Sequence, residues 1–305
     1  MRALVASEGQ QGVEIADVPD PRPSRDQALV EVRAISLNRG EVKRLEQSEP
    51  GAVWGWDLAG VVAESAADGS GPKVGARVVG MLLRGAWAER AAVRTEYLAE
   101  LRGAVTFEQA ATLPVAGLTA LRALELGGFA LGKRVLITGA SGGVGQFAIQ
   151  LAALAGAHVT AVARRTEGLA ELGADEVLSE LENEGPTFDV ILDAVGGPVL
   201  GAALQRVAPH GTVVSFAATT TDPVSYPTRA FFGRAHGATL HGLYIFDELE
   251  HTRTASTDLH RLADLVAAGR LDPQIAITAS WTEAATAITA LLERRVNGKA
   301  VLTID

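Results

Sequence analysis

Cysteine is absent from the 305-residue chain. Without thiols, the protein has no disulfide, no thiolate metal ligand and no cysteine nucleophile, and the absence is compatible with a reducing compartment. A basic stripe is lacking too. The formal net charge is −9 and both signs are spread along the sequence, so we expect no nucleic-acid partner.

Long apolar runs are also missing. Glycine, proline or charge interrupts every stretch of membrane-spanning length, so we expect no membrane association. The N-terminal segment MRALVASEGQ is too short and too polar to resemble a signal peptide. These features predict a soluble, cytoplasmic protein. The chain length predicts two domains, and it is sufficient for a sizeable core without covalent cross-links.

Three patterns follow one another along the chain. The first hundred residues hold short valine-rich segments broken by glycine and proline, which predict a compact β-rich domain. Residues 107–128 are rich in alanine and leucine at helical spacing, with a break near Pro114. From Lys133 onward strands and helices alternate. This alternation predicts an α/β fold with a doubly wound parallel sheet of about six strands, typical of dinucleotide binding.

The alternation also predicts where each element lies. We expect helices at 144–157, 166–174 and 198–211, and strands at 133–140, 158–165, 176–181, 188–197, 212–219 and 239–246. A polar stretch follows at 250–257, then helices at 259–271 and 283–296 and a strand at 299–305. Because the last strand has no partner in the alternation, we expect it to return to the N-terminal domain. The predicted domains are therefore 1–116 with 247–305, and 117–246.

The strongest motif is ASGGVG at residues 140–145, between a predicted strand and a predicted helix. Gly142 permits close approach of the backbone to a pyrophosphate, and Gly145 lets the helix pack closely on the strand. Free N–H groups at the helix start face the anion, and the helix dipole favours its charge. Ala140 stands where many such motifs have glycine. The alternative is a tight structural turn without a ligand.

The end of the second strand indicates which cofactor is bound. An NAD site usually has an acidic residue there to hold the ribose 2′-hydroxyl, whereas this chain has Arg164 and Arg165. Two guanidinium groups suit a 2′-phosphate, which predicts NADPH; the alternative is two solvated surface arginines. The turn at Ala194 and Val195 follows the fourth strand, beside the expected adenine ribose. Asp193 is expected to form structural hydrogen bonds only.

Six segments together resemble the medium-chain dehydrogenase/reductase superfamily, and most of all its zinc-free, zeta-crystallin-like quinone oxidoreductase branch. The resemblance runs over nearly the whole chain and implies a GroES-like substrate domain built from both chain ends, a Rossmann NADPH-binding domain between them, and a homodimer. The segments are Ser36–Asn38, Trp56–Val62, Gly85–Glu89, Leu113–Ala120, the motif at 140–145 and Gly298–Leu302.

The departures from the superfamily concern zinc and substrate. Zinc-dependent relatives carry Gly-His-Glu where this chain has Gly55-Trp56-Asp57. They also use cysteines, and no histidine precedes His158 here. A zinc site needs several converging nitrogen or sulfur ligands, so we expect no metal. The segment Arg39-Gly40-Glu41 stands where the branch more often has proline and aspartate, which leaves the substrate open.

The resemblance implies roles for individual residues. Asn38 is implied beside the nicotinamide and the substrate. The remaining implied cofactor contacts are Thr119, the pyrophosphate turn Ser141, Gly142, Gly143 and Val144, the strand end Phe216 and Ala217, and Leu243, Tyr244, Asn297 and Lys299. The alternative for Phe216 and Leu243 is core packing, and for Lys299 it is a solvated surface lysine.

These features predict a zinc-independent reductase that transfers hydride from NADPH to a small electrophile, either a quinone or an α,β-unsaturated ketone. Asn38 would stabilise charge on the substrate oxygen, and water or Tyr244 would supply the proton. Glu41 is a candidate acid, but a surface carboxylate is the favoured interpretation. Two alternatives stay open: an enoyl-thioester reductase of the polyketide type, and a non-catalytic NADPH-binding protein.

Overall fold

The computed structural model describes residues 1–7 and 12–304, and the chain divides into two compact units. Unit 1 comprises Met1–Leu118 and Leu249–Asp305, and unit 2 comprises Thr119–Glu248. The predicted domain boundaries lie two residues away from these at both junctions. Unit 1 is therefore discontinuous in sequence, and each unit has its own sheet.

Strands and helices are taken in chain order through the described residues. The strands are β1 Arg2–Ala6, β2 Val13–Asp17, β3 Gln27–Leu37, β4 Asp57–Glu64, β5 Arg77–Met81, β6 Arg90–Arg94, β7 Leu98–Glu100, β8 Arg134–Thr138, β9 His158–Val162, β10 Glu176–Leu178, β11 Phe188–Asp193, β12 Val207–Ser215, β13 Thr239–Gly242, β14 Ile275–Ser280 and β15 Lys299–Thr303. The helices are α1 Arg39–Arg44, α2 Phe107–Ala111, α3 Leu118–Gly127, α4 Gly143–Leu154, α5 Gly197–Gln205, α6 Ile245–Thr252, α7 Ala255–Ala267 and α8 Ala284–Leu292, with a π-helical turn at Leu113–Gly117.

Unit 1 is built on a sheet with strand order β14-β15-β3-β4-β5-β7, and β6 also pairs with β3. The C-terminal strand β15 pairs antiparallel with β3, with Ala300 opposite Leu37. This confirms that the last strand returns to the N-terminal domain. Buried side chains such as Trp87, Ile35 and Trp281 form the core of this unit. Strand β14, which pairs parallel with β15, was not predicted.

Unit 2 contains the predicted parallel sheet, with strand order β10-β9-β8-β11-β12-β13. The chain runs outward from β8 through β9 to β10, then crosses to β11 on the other side of β8. The carboxyl ends of β8 and β11 therefore flank the point where the strand order reverses, which is where such sheets bind ligands. Phe188, Ile191 and Val213 are among the buried residues of its core.

One predicted element in this part of the chain was wrong, and two others end earlier than predicted. Residues 166–174 form turns instead of a helix, because Gly168 and Gly173 have φ of 79° and 107°, outside the helical region. Residues 207–211 belong to β12 instead of the preceding helix, and Pro209 cannot donate a helical hydrogen bond. Strand β13 ends at Gly242, and α6 follows it.

The described helices have one further property in common. Each is too short or too polar to cross a membrane.

Candidate active site

The phosphate cradle, residues 139–145, comprises the turn after β8 and the first residues of α4 in unit 2. Gly139 turns the chain with a φ of 62°, and its carbonyl accepts a hydrogen bond from the Gly142 amide at 3.0 Å. The positive φ that such a turn needs is therefore supplied by Gly139, one residue before the position expected from the motif. The alanine at position 140 is buried and does not disturb the turn.

The start of α4 has the features of an anion site. Gly142 is the N-cap residue and provides no side-chain cap, so the first amides of the helix are left for another acceptor. At Gly145, an added Cβ would lie 2.6 Å from both the Cα and the carbonyl oxygen of Ala140. Only glycine allows the helix to approach the turn this closely. The cradle therefore fits a dinucleotide pyrophosphate.

The two predicted 2′-phosphate ligands follow a strand end that is bonded to the cradle. The Ala140 amide donates to the Val162 carbonyl at 3.1 Å, which joins the cradle to the end of β9. Arg164 and Arg165 follow two and three residues later, the first exposed and the second half-buried. Residues 163–166 include no acid.

Asp193 organises the neighbouring loop. It accepts hydrogen bonds from the Thr138 hydroxyl at 2.6 Å and from the Gly196 amide at 3.0 Å. Burial raises the pKa of Asp193, and these hydrogen bonds oppose the rise. The loop with Ala194 and Val195 is thereby tied to β8, as expected of a structural residue.

The other predicted cofactor contacts of unit 2 differ in exposure. Thr119 and Leu243 are buried, while Tyr244 is 51% exposed. The pyrophosphate residues Ser141, Gly143 and Val144 are half-buried and Gly142 is exposed, as is Ala217, and Phe216 is half-buried. The burial of Thr119 and Leu243 therefore also agrees with a role in core packing.

A second group of polar residues lies inside unit 1 and is called the buried charge cluster: Asn38, Glu41, Asp57 and Lys299. Asn38 lies between β3 and α1, Glu41 is in the first turn of α1, Asp57 begins β4, and Lys299 begins β15. The antiparallel pairing of β3 with both β4 and β15 brings these positions together. The exposed fractions are 9%, 0%, 0% and 3% in the same order.

Hydrogen bonds connect every member of the cluster to Asn38. The Asn38 side-chain nitrogen donates to Asp57 Oδ2 at 2.7 Å and to Glu41 Oε1 at 3.2 Å. Lys299 Nζ donates to Asn38 Oδ1 at 2.8 Å, and it lies 3.5 Å from Asp57 Oδ2. Backbone amides donate to the second oxygen of each carboxylate. Val115 N donates to Asp57 Oδ1 at 2.9 Å, and Trp56 N donates to Glu41 Oε2 at 2.7 Å.

Burial shifts the protonation equilibria of the cluster. It raises the pKa of Glu41 well above its usual value, with the negative charge of Asp57 adding to the effect. The pKa of Asp57 is also raised by burial, against the opposing effect of Lys299. Burial lowers the pKa of Lys299, and both carboxylates oppose that change.

One expectation about this region was wrong, one alternative is excluded, and one residue was missed. Glu41 is fully buried, so it is not a surface carboxylate, and Lys299 is not a solvated lysine. Asp57 was considered only as a replaced zinc ligand, although it bonds to two members of the cluster. A charged residue within the apolar segment WDLAGVV was the available signal. Asn297 is half-buried in the turn before β15.

The described residues contain no group of three or more His, Cys, Asp or Glu side chains arranged to hold a metal ion. Asp57 is already bonded to Asn38 and Val115 and paired with Lys299. The segment Gly55-Trp56-Asp57, which stands where zinc-dependent relatives have Gly-His-Glu, therefore contributes a carboxylate to the buried charge cluster.

Two protein families match the sequence. The "alcohol dehydrogenase GroES-like domain" family matches residues 24–123, and the "zinc-binding dehydrogenase" family matches residues 172–302. The first match falls largely in unit 1, and the second covers parts of both units.

Relatives and a solved structure extend this similarity. A chloroplast envelope quinone oxidoreductase homolog of Arabidopsis thaliana is 35% identical over 68% of this chain and 70% of its own length. An acryloyl-coenzyme A reductase of Metallosphaera sedula is 26% identical over 99% of this chain and 100% of its own. The quinone oxidoreductase structure from Coxiella burnetii superimposes with a TM-score of 0.83 at 28% identity, covering 100% of this chain and 99% of that one.

Proposed function

Because this chain belongs to the medium-chain dehydrogenase/reductase superfamily, whose members use nicotinamide cofactors, we propose that it is an NADPH-dependent, zinc-independent reductase of quinones or α,β-unsaturated ketones. The observation that carries the proposal is the phosphate cradle with Arg164 and Arg165 beside it. The similarity to quinone oxidoreductases supports the substrate class.

Each part of the cofactor has proposed partners in unit 2. The pyrophosphate is bound by the amides of the cradle, and the 2′-phosphate by Arg164 and Arg165. When bound, NADPH supplies the hydride. The proposed contacts with the adenine ribose are Ala194 and Val195, and those with the nicotinamide are Phe216 and Ala217. Thr119, Leu243 and Tyr244 are further proposed contacts with the cofactor.

The substrate of such a site is already electrophilic. Charge that develops on a conjugated carbonyl oxygen spreads over the acceptor, so that one or two neutral donors stabilise it. Asn38 is the proposed donor, and its longer bond, at 3.2 Å to Glu41, is the one that a substrate oxygen replaces. Tyr244, which is 51% exposed, is the proposed proton donor through its hydroxyl, with water as the alternative source.

Zinc-independence is proposed from the residues of the segment Gly55-Trp56-Asp57. Zinc sites use several histidine, cysteine or carboxylate ligands on one ion. Asp57 is committed to the buried charge cluster, and the chain has no cysteine. Elemental analysis of the purified protein should give well under one zinc per chain, and chelators should leave turnover unchanged. One tightly bound zinc per chain would remove this part of the proposal.

Enoyl thioesters are the second candidate substrate class. The similarity to an acryloyl-coenzyme A reductase extends over nearly the full length of both chains. Quinones, enones and enoyl thioesters share the hydride step and the need to stabilise an oxygen anion. They differ in the size and charge of the group next to the carbonyl.

A paired assay tests the proposal. NADPH oxidation is followed with a quinone, an enone and an enoyl-coenzyme A, and NADP⁺ reduction with a panel of simple alcohols. We expect turnover with conjugated acceptors and none with alcohols, since oxidising an alcohol requires removal of its hydroxyl proton. Alcohol oxidation without reduction of any conjugated acceptor would overturn the mechanism. NADPH binding without any turnover would identify a non-catalytic NADPH-binding protein.

A further inference from the structure

The Asn38 carboxamide is held at both ends by charged groups. An ammonium group has donors and no acceptor, and a carboxylate has acceptors and no donor. The side-chain oxygen of Asn38 must therefore face Lys299, at 2.8 Å, and its NH₂ must face Asp57, at 2.7 Å. A flipped amide would place its NH₂ against the ammonium and its oxygen against the carboxylate. The cluster thus allows one orientation.

The groups that hold the amide are themselves fixed. Asp57 Oδ1 accepts from the Val115 amide in the π-helical turn, so the carboxylate is attached to backbone outside the sheet. Lys299 Nζ also contacts the Leu37 carbonyl at 3.4 Å, directly before Asn38. Because buried charges are costly to leave unpaired, neither side chain has a low-energy alternative position.

We propose that Asp57 and Lys299 are positioning residues that hold the Asn38 carboxamide in one orientation, with its NH₂ end as the donor for the substrate oxygen. The inference rests on the proposed function for the role of Asn38. A donor on the amide oxygen also polarises the amide and strengthens its N–H groups as donors. Lys299 therefore acts on the reaction through Asn38.

Nuclear magnetic resonance tests the orientation without turnover. The sequence has asparagine only at positions 38, 183 and 297, so selective ¹⁵N-asparagine labelling gives three side-chain NH₂ pairs, and Asn38→Ala assigns one of them. We expect the Asn38 pair to exchange with solvent on the order of tenfold or more slowly than the pair of exposed Asn183. Equal exchange at both positions in the wild type would overturn the proposal.

The same signals report the effect of Lys299. In Lys299→Met the amide oxygen loses its donor, and we expect the Asn38 pair to shift and to exchange faster. Unchanged signals in a folded Lys299→Met protein would overturn the role of Lys299. Because no substrate is added, this result does not depend on whether the protein is a reductase.

Kinetics separate positioning from stability. Lys299→Met and Asp57→Asn each leave a buried charge with fewer partners, so both should lower the Tm. The double variant removes the pair, and its Tm should recover toward the wild-type value. We expect kcat of the double variant to remain on the order of tenfold or more below wild type. Recovery of kcat together with Tm would show a purely structural pair and overturn the proposal.

Asp258→Asn is the matched control. Asp258 is a buried carboxylate of unit 1 that pairs with Arg261 at 3.0 Å and has no bond to the buried charge cluster. Its replacement should lower the Tm and leave kcat and the Asn38 signals unchanged. An equal loss of kcat in this control would attribute the kinetic effect to destabilisation and overturn the proposal.

Discussion

At the residue scale, the buried charge cluster places two carboxylates and one ammonium group in the interior of unit 1. Burial disfavours each charged form, and the hydrogen bonds to Asn38, Val115 and Trp56 compensate in part. Removing one partner of such a group usually costs more than the intact group contributes. The cluster is therefore expected to specify the local structure more than to stabilise the fold.

The raised pKa of Glu41 predicts a dependence of stability on pH. Its pKa lies well above the ordinary 4.5 in the folded protein, so the folded state holds the proton more tightly than the unfolded state. The contribution of Glu41 is present below pH 4.5 and is lost as pH rises through the raised folded value. Between about pH 5 and about pH 8 the wild type should therefore lose more free energy of unfolding than Glu41→Gln.

Tryptophan emission measures this, because Trp54, Trp56, Trp87 and Trp281 all belong to unit 1. Denaturant titrations are run at both pH values for the wild type, Glu41→Gln and the exposed control Glu14→Gln. Identical pH dependence in the wild type and Glu41→Gln would contradict the raised pKa.

The two arginines next to the cradle predict cofactor preference. A charge-assisted hydrogen bond contributes about 1.5–3 kcal/mol, and 1.4 kcal/mol is about tenfold in affinity. Arg164→Ala and Arg165→Ala should each weaken NADPH binding about tenfold or more and leave NADH binding nearly unchanged, because NADH has no 2′-phosphate. Dissociation constants for both cofactors are compared with those of Arg22→Ala, an exposed arginine of unit 1. Equal losses for NADPH and NADH would contradict the role.

At the element scale, α4 depends on its approach to the turn that precedes it. The helix presents its uncapped first amides only if its first residues lie against the turn, and Gly145 permits this.

The start of α6 shows that apolar composition alone can predict the wrong element. The segment at 243–246 has the composition of a strand, yet α6 begins at Ile245. The negative charges of Asp247 and Glu248 in its first turn interact favourably with the helix dipole and stabilise the helix start.

Gly145→Ala should therefore impair cofactor binding. Its Cβ would lie 2.6–2.7 Å from backbone atoms of Ala140 and Gly139, which cannot move aside as a flexible side chain does. Overpacking of this kind costs about 1–3 kcal/mol, and the helix start should shift from the cradle. The Kd of NADPH and the Tm are measured beside Gly233→Ala, where an added Cβ meets nothing within 4 Å. Wild-type affinity in Gly145→Ala would show that the close approach is not required.

At the scale of the whole molecule, the two units differ in how their chain is assembled. Unit 2 is a continuous segment, whereas unit 1 joins residues from both ends of the chain. Strand β15 lies between β14 and β3 in its sheet, and Ala300, Val301 and Leu302 are fully buried. Unit 1 therefore needs the C-terminal residues to complete its core.

We also propose that the protein forms a homodimer, and sedimentation analysis would test this.

Ending the chain after Gly298 should disrupt unit 1. The truncation removes Lys299 and the partner of β14, and it exposes the buried side chains of β3. We expect red-shifted tryptophan emission, since every tryptophan lies in unit 1. Thr303→Ala, which loses one hydrogen bond of 3.3 Å to Ala279, should retain the wild-type emission. Native emission and Tm in the truncated protein would contradict the requirement for β15.

Features that depend on neighbouring residues could be predicted from the sequence. The strand, turn and helix around residues 139–145 could be predicted because glycine spacing and apolar periodicity act over one or two turns of chain. The parallel sheet and the return of β15 followed from counting strands and their partners. Gly168 and Pro209 are also local signals, and they outweigh the helical composition of 166–174 and 207–211.

The chemistry of the buried charge cluster depends on contacts between residues that are distant in sequence. Asn38 and Lys299 are 261 positions apart, and they meet because β3 pairs with β15. Charged residues such as Glu41 and Lys299 are usually exposed, so their residue types do not indicate that either is buried. Their burial depends on which strands pair and in which register. That pairing is set by long-range packing of the sheet, which local sequence patterns do not record.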